Sequence, residues 1–159
     1  MAGQLSERVS KALGRIPSGC AVVTARAGNQ RTGMLASWIQ QAAFEPPMIS
    51  VVVHKGRPIE KLIDESGTMV INMLGQGCEP VLRHFHKGFA PGEDAFVGLG
   101  NRDVPGGVAI DQGIARLTVR VHGKHDAGDH WLYLAVVTDA ELGEGKDPYV
   151  HVRTNGLAY

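Results

Sequence analysis

Two short stretches carry the residue types from which a site could be built. The first is HKGRP, His54 to Pro58, which follows the apolar run MISVVV and opens a helical pattern. Lys55, Arg57, a glycine and the free N–H groups of a helix start together suit a phosphate, although a solvated basic turn fits the same residues. The second is AGDHW, Ala127 to Trp131, where Asp129 precedes His130. A neighbouring carboxylate can hold an imidazole in one tautomer and orientation, as a catalytic or ligand-binding histidine requires. An ordinary turn aspartate beside a surface histidine reads the same way. His84 and His86 are two apart, so on a helix they face different directions. His122, His125 and His130 surround a hairpin turn with no evident cysteine or carboxylate to complete a zinc set, and no metal site is expected. Cys20 in SGCAVVT reads as a small buried hydrophobe, and a disulfide to Cys78 is not expected in a reducing compartment. Dinucleotide G-x-G-x-x-G, Walker, H-E-x-x-H and G-x-S-x-G patterns are absent.

A third stretch, GMLASWIQQAAFEPP from Gly33 to Pro47, raises a different question. A half-buried strand alternates apolar and polar residues and a fully buried one stays apolar, but this run does neither. Its irregularity suggests that one face meets something other than water or core.

The elements that must position these residues follow from periodicity. LSERVSKALGRIP, with Ser6 as a cap, places Leu5, Val9, Ala12, Leu13 and Ile16 on one helical face and ends near Gly14 and Pro17. GCAVVTARAG reads as a strand, NQ as a tight turn, and RTGMLASWIQQAAF as one antiparallel partner strand. Pro46-Pro47 forces a corner, since proline cannot donate to a ladder. MISVVVH is a buried strand, RPIEKLIDES a helix with proline at its start, GTMVINML another strand, and CEPVLRHFHKGF a helix with Val81, Leu82 and Phe85 inside. Residues 90 to 108 read as a long loop. GIARLTVRVHGKHDAGDHWLYLAVVTDAEL makes a long hairpin, and YVHVR a last short strand. About six or seven strands and three helices, mostly in hairpins, suggest a mainly β antiparallel barrel with flanking helices.

Composition narrows the function classes. Residues 1–159 are expected to form one domain with a sizeable core. Apolar residues make up 43% and charged residues 20%, as in soluble globular proteins. Lys+Arg and Asp+Glu are 16 each, so net charge gives no footprint for nucleic acid or an anionic membrane. No apolar run approaches the roughly 20 residues of a membrane span, and MAGQLSERVSKAL lacks the basic start and apolar middle of a signal peptide. A cytoplasmic location is expected.

Six stretches in order resemble one known family: ALGRIPSGCAVVTA, GMLASWIQQAAFEPP, VVVHKGRPIE, LRHFHKGFAPGEDAF, GDHWLYLAVV and HVRTNGLAY. They resemble the flavin reductase-like group of the FMN-binding split barrels, and within it the flavin reductase module at the C-terminus of cyanobacterial flavodiiron proteins. The resemblance implies a six-stranded split β-barrel, a homodimer, and FMN (with FAD possible) in a groove near the subunit interface. It also implies hydride transfer from NADH or NADPH to the flavin and an acceptor protein beyond it; as the sequence carries no diiron or flavodoxin module, a stand-alone version is expected. By the same resemblance Leu35, Ala36, Ser37, Trp38, Ile39 and Gln41 lie along the flavin. His54, Lys55, Gly56 and Arg57 form the turn that takes its phosphate, and Phe85, His151 and Arg153 stand near the cofactor. Gly128 to His130 match the reductases' GDH, which makes His130 the positioning residue on the nicotinamide side and Asp129 its orienter. Many relatives have a T-A-S-S run where this chain has Leu35, Ala36, Ser37 and Trp38, so two side-chain hydroxyls are missing from ring recognition. A non-enzymatic FMN-binding electron carrier without a nicotinamide site is the alternative.

Overall fold

The computed structural model describes residues 2–145 and 147–158. Three helices, α1 (Ala2–Gly14), α2 (Pro58–Ser66) and α3 (Glu79–His86), accompany nine strands. These are β1 (Ala21–Ala27), β2 (Gln30–Ala36), β3 (Ile39–Ala43), β4 (Met48–His54), β5 (Thr68–Leu74), β6 (Asn101–Val104), β7 (Gly107–Ile110), β8 (Gly113–Ala127) and β9 (His130–Leu142). Seven form one sheet in the order β2-β1-β5-β8-β9-β4-β3, antiparallel at every pairing, and β6 with β7 makes a separate hairpin. The edge strands β2 and β3 are consecutive in the chain and separated only by Ser37 and Trp38. So short a link brings the two edges together at one end, and the sheet curls into a barrel split along that seam. At the seam the Val52 N–H donates to the Trp38 carbonyl at 3.0 Å.

This corrects the reading of residues 31 to 44 as one strand. Alternation fails there because β2 and β3 belong to opposite edges, and the chain changes edge at Ser37–Trp38.

The sheet is buried on both faces where β1 and β5 run. Ala21, Val23, Ala25, Met69 and Ile71 face the barrel interior, while Cys20, Val22, Val70 and Leu74 are buried on the other side. A strand covered on both faces reads as continuously apolar, as AVVTA and MVINML do. α2 joins the interior core through Ile59, Leu62 and Ile63. Pro58 starts it, and Gly67, with φ +68°, ends it by donating its N–H to the Ile63 carbonyl at 2.8 Å. On the outer face, β7 is stitched down by two buried polar side chains. Thr24 Oγ1 donates to the Val108 carbonyl at 2.7 Å and accepts from the Val108 N–H at 2.9 Å. Asn72 Nδ2 donates to the carbonyls of Val22 and Val108, each at 3.1 Å, and its Oδ1 accepts the Ile110 N–H at 3.0 Å.

Four further expectations change. α1 begins at Ala2, so Ser6 lies inside the helix rather than capping it. Its apolar stripe is open to solvent, with Leu5 57% and Val9 39% exposed, and the C-terminal segment lies against its last turns. There the Gly156 N–H donates to the Ser10 carbonyl at 2.9 Å and Ser10 Oγ to Asn155 at 2.6 Å. The stretch from 90 to 108 is not all loop, since it contains β6 and the start of β7. YVHVR makes no strand; it is tied by single bridges, Ser18 with His151 and, just before it, Gly75 with Pro148. The main sheet has seven strands rather than six. No helix among the described residues is long and apolar enough to cross a membrane.

Candidate functional site

The seam opens onto a cavity of about 630 Å³. Cys20, Met34, Leu35, Ala36, Val52 and Leu82 give it apolar walls. Ser37, Trp38, Arg83, His86, His151, Arg153 and Asn155 supply its polar groups, with the C-terminal segment forming one side. Size and character are those of a small-molecule site, an apolar cleft of roughly 300–1,000 Å³ with a few polar groups. A planar heteroaromatic with hydrogen-bonding edges and an anionic tail matches this chemistry, and an isoalloxazine nucleotide is such a molecule. Burial, and then the neighbouring Cys78, push the Cys20 thiol up to about 12 against the opposing Ala21 N–H contact. At neutral pH it is a protonated wall group and not a nucleophile.

Trp38 links this cavity to the hairpin turn. Its ring lies 4.9 Å from the His130 ring, tilted at 43°, and the Arg153 guanidinium carbon stands 5.0 Å from its centroid. His54 meets His130 edge-on at 4.9 Å. His130 is 5% exposed, and its Nδ1 is 2.6 Å from Asp129 Oδ1. That hydrogen bond holds the exposed Asp129 carboxyl below the ordinary aspartate range. A buried imidazole oriented by a solvated carboxylate, and tilted against an indole that lines the cavity, can position a planar ligand. The hairpin makes this possible: β8 and β9 turn at Gly128–Asp129, with φ +77° at Gly128, and β4 pairs His54 directly with His130.

Leu35, Ala36, Ser37, Trp38, His151 and Arg153 therefore converge on one cavity, with His130 and His54 behind Trp38. The basic turn does not converge with them. Gly56 and Arg57 line a second depression of about 1,010 Å³ above the start of α2, together with Arg31, Lys61, Glu60, Asp64, Glu93 and Asp94. The Gly56 N–H is already held by Glu60 at 2.9 Å. Lys55 turns to Asp126 at 2.6 Å and lies 4.4 Å from the Trp131 centroid. Arg57 packs on the backbone beyond α3: a Cβ built on Gly88 would lie 3.3 Å from its Nη1. Ile39 is half-buried against the interior core and Gln41 is exposed on β3. Phe85 is 3% exposed and packs in the outer core, away from both cavities. Arg83 was not singled out from the sequence, and His86 was weighed only beside His84. Their spacing of three puts both on one face of α3, and the structure turns that face toward the cavity. His84 points elsewhere, its Nε2 2.9 Å from the Ala95 carbonyl. Among the described residues no group of three or more His, Cys, Asp or Glu could hold a metal ion.

Residues 13–156 match the family model described as flavin reductase like domain. Diflavin flavoprotein A 1 of Synechocystis sp. is 35% identical over 158 residues, covering 98% of this chain and 28% of that protein. The chain thus spans little more than a quarter of that relative's length. Among solved structures, the NADH:FAD oxidoreductase SgcE6 of Streptomyces globisporus superposes with a TM-score of 0.83 at 25% identity, over 89% of this chain and 85% of that one. A homologue of nitrilotriacetate monooxygenase component B from Mycobacterium thermoresistibile shares the fold, with a TM-score of 0.83 at 22% identity over 97% of this chain and 86% of that one. With the family model running through the seam, the GDH turn and most of the C-terminal wall, the chain belongs to the flavin reductase-like domain family.

Proposed function

We propose that this chain is an NAD(P)H:flavin oxidoreductase that binds FMN, or FAD, in the seam cavity and passes electrons on to an acceptor protein. The observation that carries the reading is the convergence at the seam. The chain crosses from one barrel edge to the other at Ser37–Trp38, beside an apolar cavity and next to an oriented, buried His130. The Streptomyces structural relative, named an NADH:FAD oxidoreductase, supports it at the level of reaction class.

A bound flavin supplies the hydride-accepting centre, and the protein supplies position and electrostatics. Leu35, Ala36 and Val52 offer an apolar surface to a ring face, while Ser37 and the exposed backbone of the seam offer hydrogen bonds to its rim. Arg57, at the turn before α2, lines the separate depression, so it takes the flavin phosphate only if the ribityl chain reaches across to it from the seam cavity. His130, fixed by Asp129 and flanked by Trp38 and His54, orients the nicotinamide and keeps water from the reacting face. No side chain need act as a nucleophile, in keeping with the neutral Cys20. The apolar stripe of α1 and the exposed Val150, Val152 and Leu157 support a homodimer, since a second copy would cover them.

Anaerobic titration with NADH and NADPH in the presence of FMN tests the activity. Bleaching of the flavin band by either donor is expected. Flavin binding with no bleaching by either would instead identify an electron carrier without a nicotinamide site.

A further inference from the structure

The two depressions differ in charge, although the chain as a whole is neutral. The larger one mixes Arg31, Arg57 and Lys61 with Glu60, Asp64, Glu93 and Asp94. The seam cavity presents two guanidinium groups, Arg83 and Arg153, and two imidazoles, His86 and His151, with no carboxylate among its described lining residues. Elsewhere basic side chains are commonly matched: Arg26 and Arg31 pair with Asp103, Lys55 with Asp126, Lys87 with Glu93, Arg102 with Glu141, and Lys124 with Glu60 and Asp64. Arg83 and Arg153 make no ion pair among the described residues, and Arg153 is held only over the Trp38 ring.

Unpaired guanidinium groups around an apolar cleft concentrate positive potential there, because the low-dielectric walls focus the field. The planar fork of arginine donates two parallel hydrogen bonds to phosphate oxygens, and an imidazole N–H adds a third direction. Arg83 and His86, one turn apart on α3, face Arg153 and His151 of the C-terminal segment across the same cavity. We infer that Arg83, His86 and Arg153 form an anion subsite that takes a phosphate group of a bound nucleotide, separate from the turn at Arg57. This rests on the nucleotide-binding reading of the cavity. The phosphate can come from the flavin or from the nicotinamide dinucleotide, and the chemistry of recognition is the same.

Affinities of the purified chain for FMN, riboflavin, NADPH and NADH, measured by ligand fluorescence, decide the matter. Arg83→Ala, Arg83→Glu and Arg153→Ala are compared with wild type, with the exposed Arg120→Ala as control and circular dichroism to check the fold. Loss of a charge-assisted phosphate contact weakens binding by roughly tenfold or more, and charge reversal by more still. A drop for FMN but not riboflavin assigns the site to the flavin phosphate. A drop for NADPH but not NADH assigns it to the 2′-phosphate, and an equal drop for both to the pyrophosphate. Folded Arg83→Glu and Arg153→Ala proteins with all four affinities unchanged would overturn the subsite. A wild-type chain that binds neither flavin defeats the flavin reading itself, while the nicotinamide arms still decide the anion site.

Discussion

Trp38 touches the groups on which the site depends: His130 on one side, the Arg153 guanidinium on the other, and its own carbonyl bonded to Val52. An indole flanked by an imidazole and a cation is a rigid platform, and each contact fixes one edge of it. Asp129 in turn fixes His130. Asp129→Asn keeps the shape but loses the anionic acceptor, so the imidazole is no longer held in one orientation. The expected result is a several-fold rise in KM for the nicotinamide nucleotide with flavin affinity unchanged, read from steady-state kinetics and flavin fluorescence. The hydrogen bond from His130 lowers the Asp129 pKa, so its contribution is complete above the ordinary aspartate value, about 3.9. It is lost as pH falls through the lowered native value. Acid unfolding followed by tryptophan fluorescence therefore starts at higher pH in Asp129→Asn than in wild type. The Asp129–His130 pair was legible in sequence, because neighbours need no fold to meet. Arg83 and His86 were not: nothing local says that α3 turns that face toward residues 151–155.

At the level of elements, α2 is anchored to the long hairpin by one polar cluster. Lys124 Nζ lies 3.0 Å from Glu60 Oε1 and 2.6 Å from Asp64 Oδ2, and sits 4.3 Å from the Trp131 centroid. The buried Tyr133 hydroxyl, pushed up to about 12 by its burial, donates to Asp64 at 3.0 Å. Burial works against the Glu60 carboxylate, but the Gly56 N–H and Lys124 outweigh it and its pKa falls below the ordinary value. Its contribution to stability is present above about pH 4.3 and disappears as pH drops through the lowered native value. Lys124→Met leaves two carboxylates facing each other and should cost about 1.5–3 kcal/mol, measured by urea unfolding at neutral pH. Gly33 sets a different constraint. A Cβ there would lie 3.0 Å from Phe85 and 3.3 Å from Thr24, so Gly33→Ala should cost about 1–3 kcal/mol through overpacking, seen as a lower Tm.

Element types were largely legible because apolar periodicity marks each of β1, β4, β5 and the β8–β9 hairpin. The break at Ser37–Trp38 was not, since no glycine or proline marks it and only closure of the barrel demands it. Asn72, which looks misplaced in MVINML, is explained by the β7 backbone that it binds.

For the whole molecule, the open faces matter most. Leu5, Val9 and Leu13 of α1, and Ile16 just after it, lie at the surface, as do Val150, Val152 and Leu157 of the C-terminal segment. If a second copy covers them, Val9→Glu combined with Leu13→Glu shifts sedimentation from dimer to monomer while leaving the circular dichroism spectrum unchanged.

The C-terminal segment and α1 meet backbone to backbone. A Cβ at Gly156 would lie 2.3 Å from that of Leu13, and one at Gly14 would lie 2.7 Å from the Arg153 carbonyl oxygen. The same segment, residues 151–155, forms one side of the seam cavity. Fraying of the N-terminal helix is then expected to loosen the cavity wall as well. Loosening that crossing is therefore expected to shorten the residence time of a molecule held in the cavity, although it lies at the far end of the chain from Leu35 to Trp38.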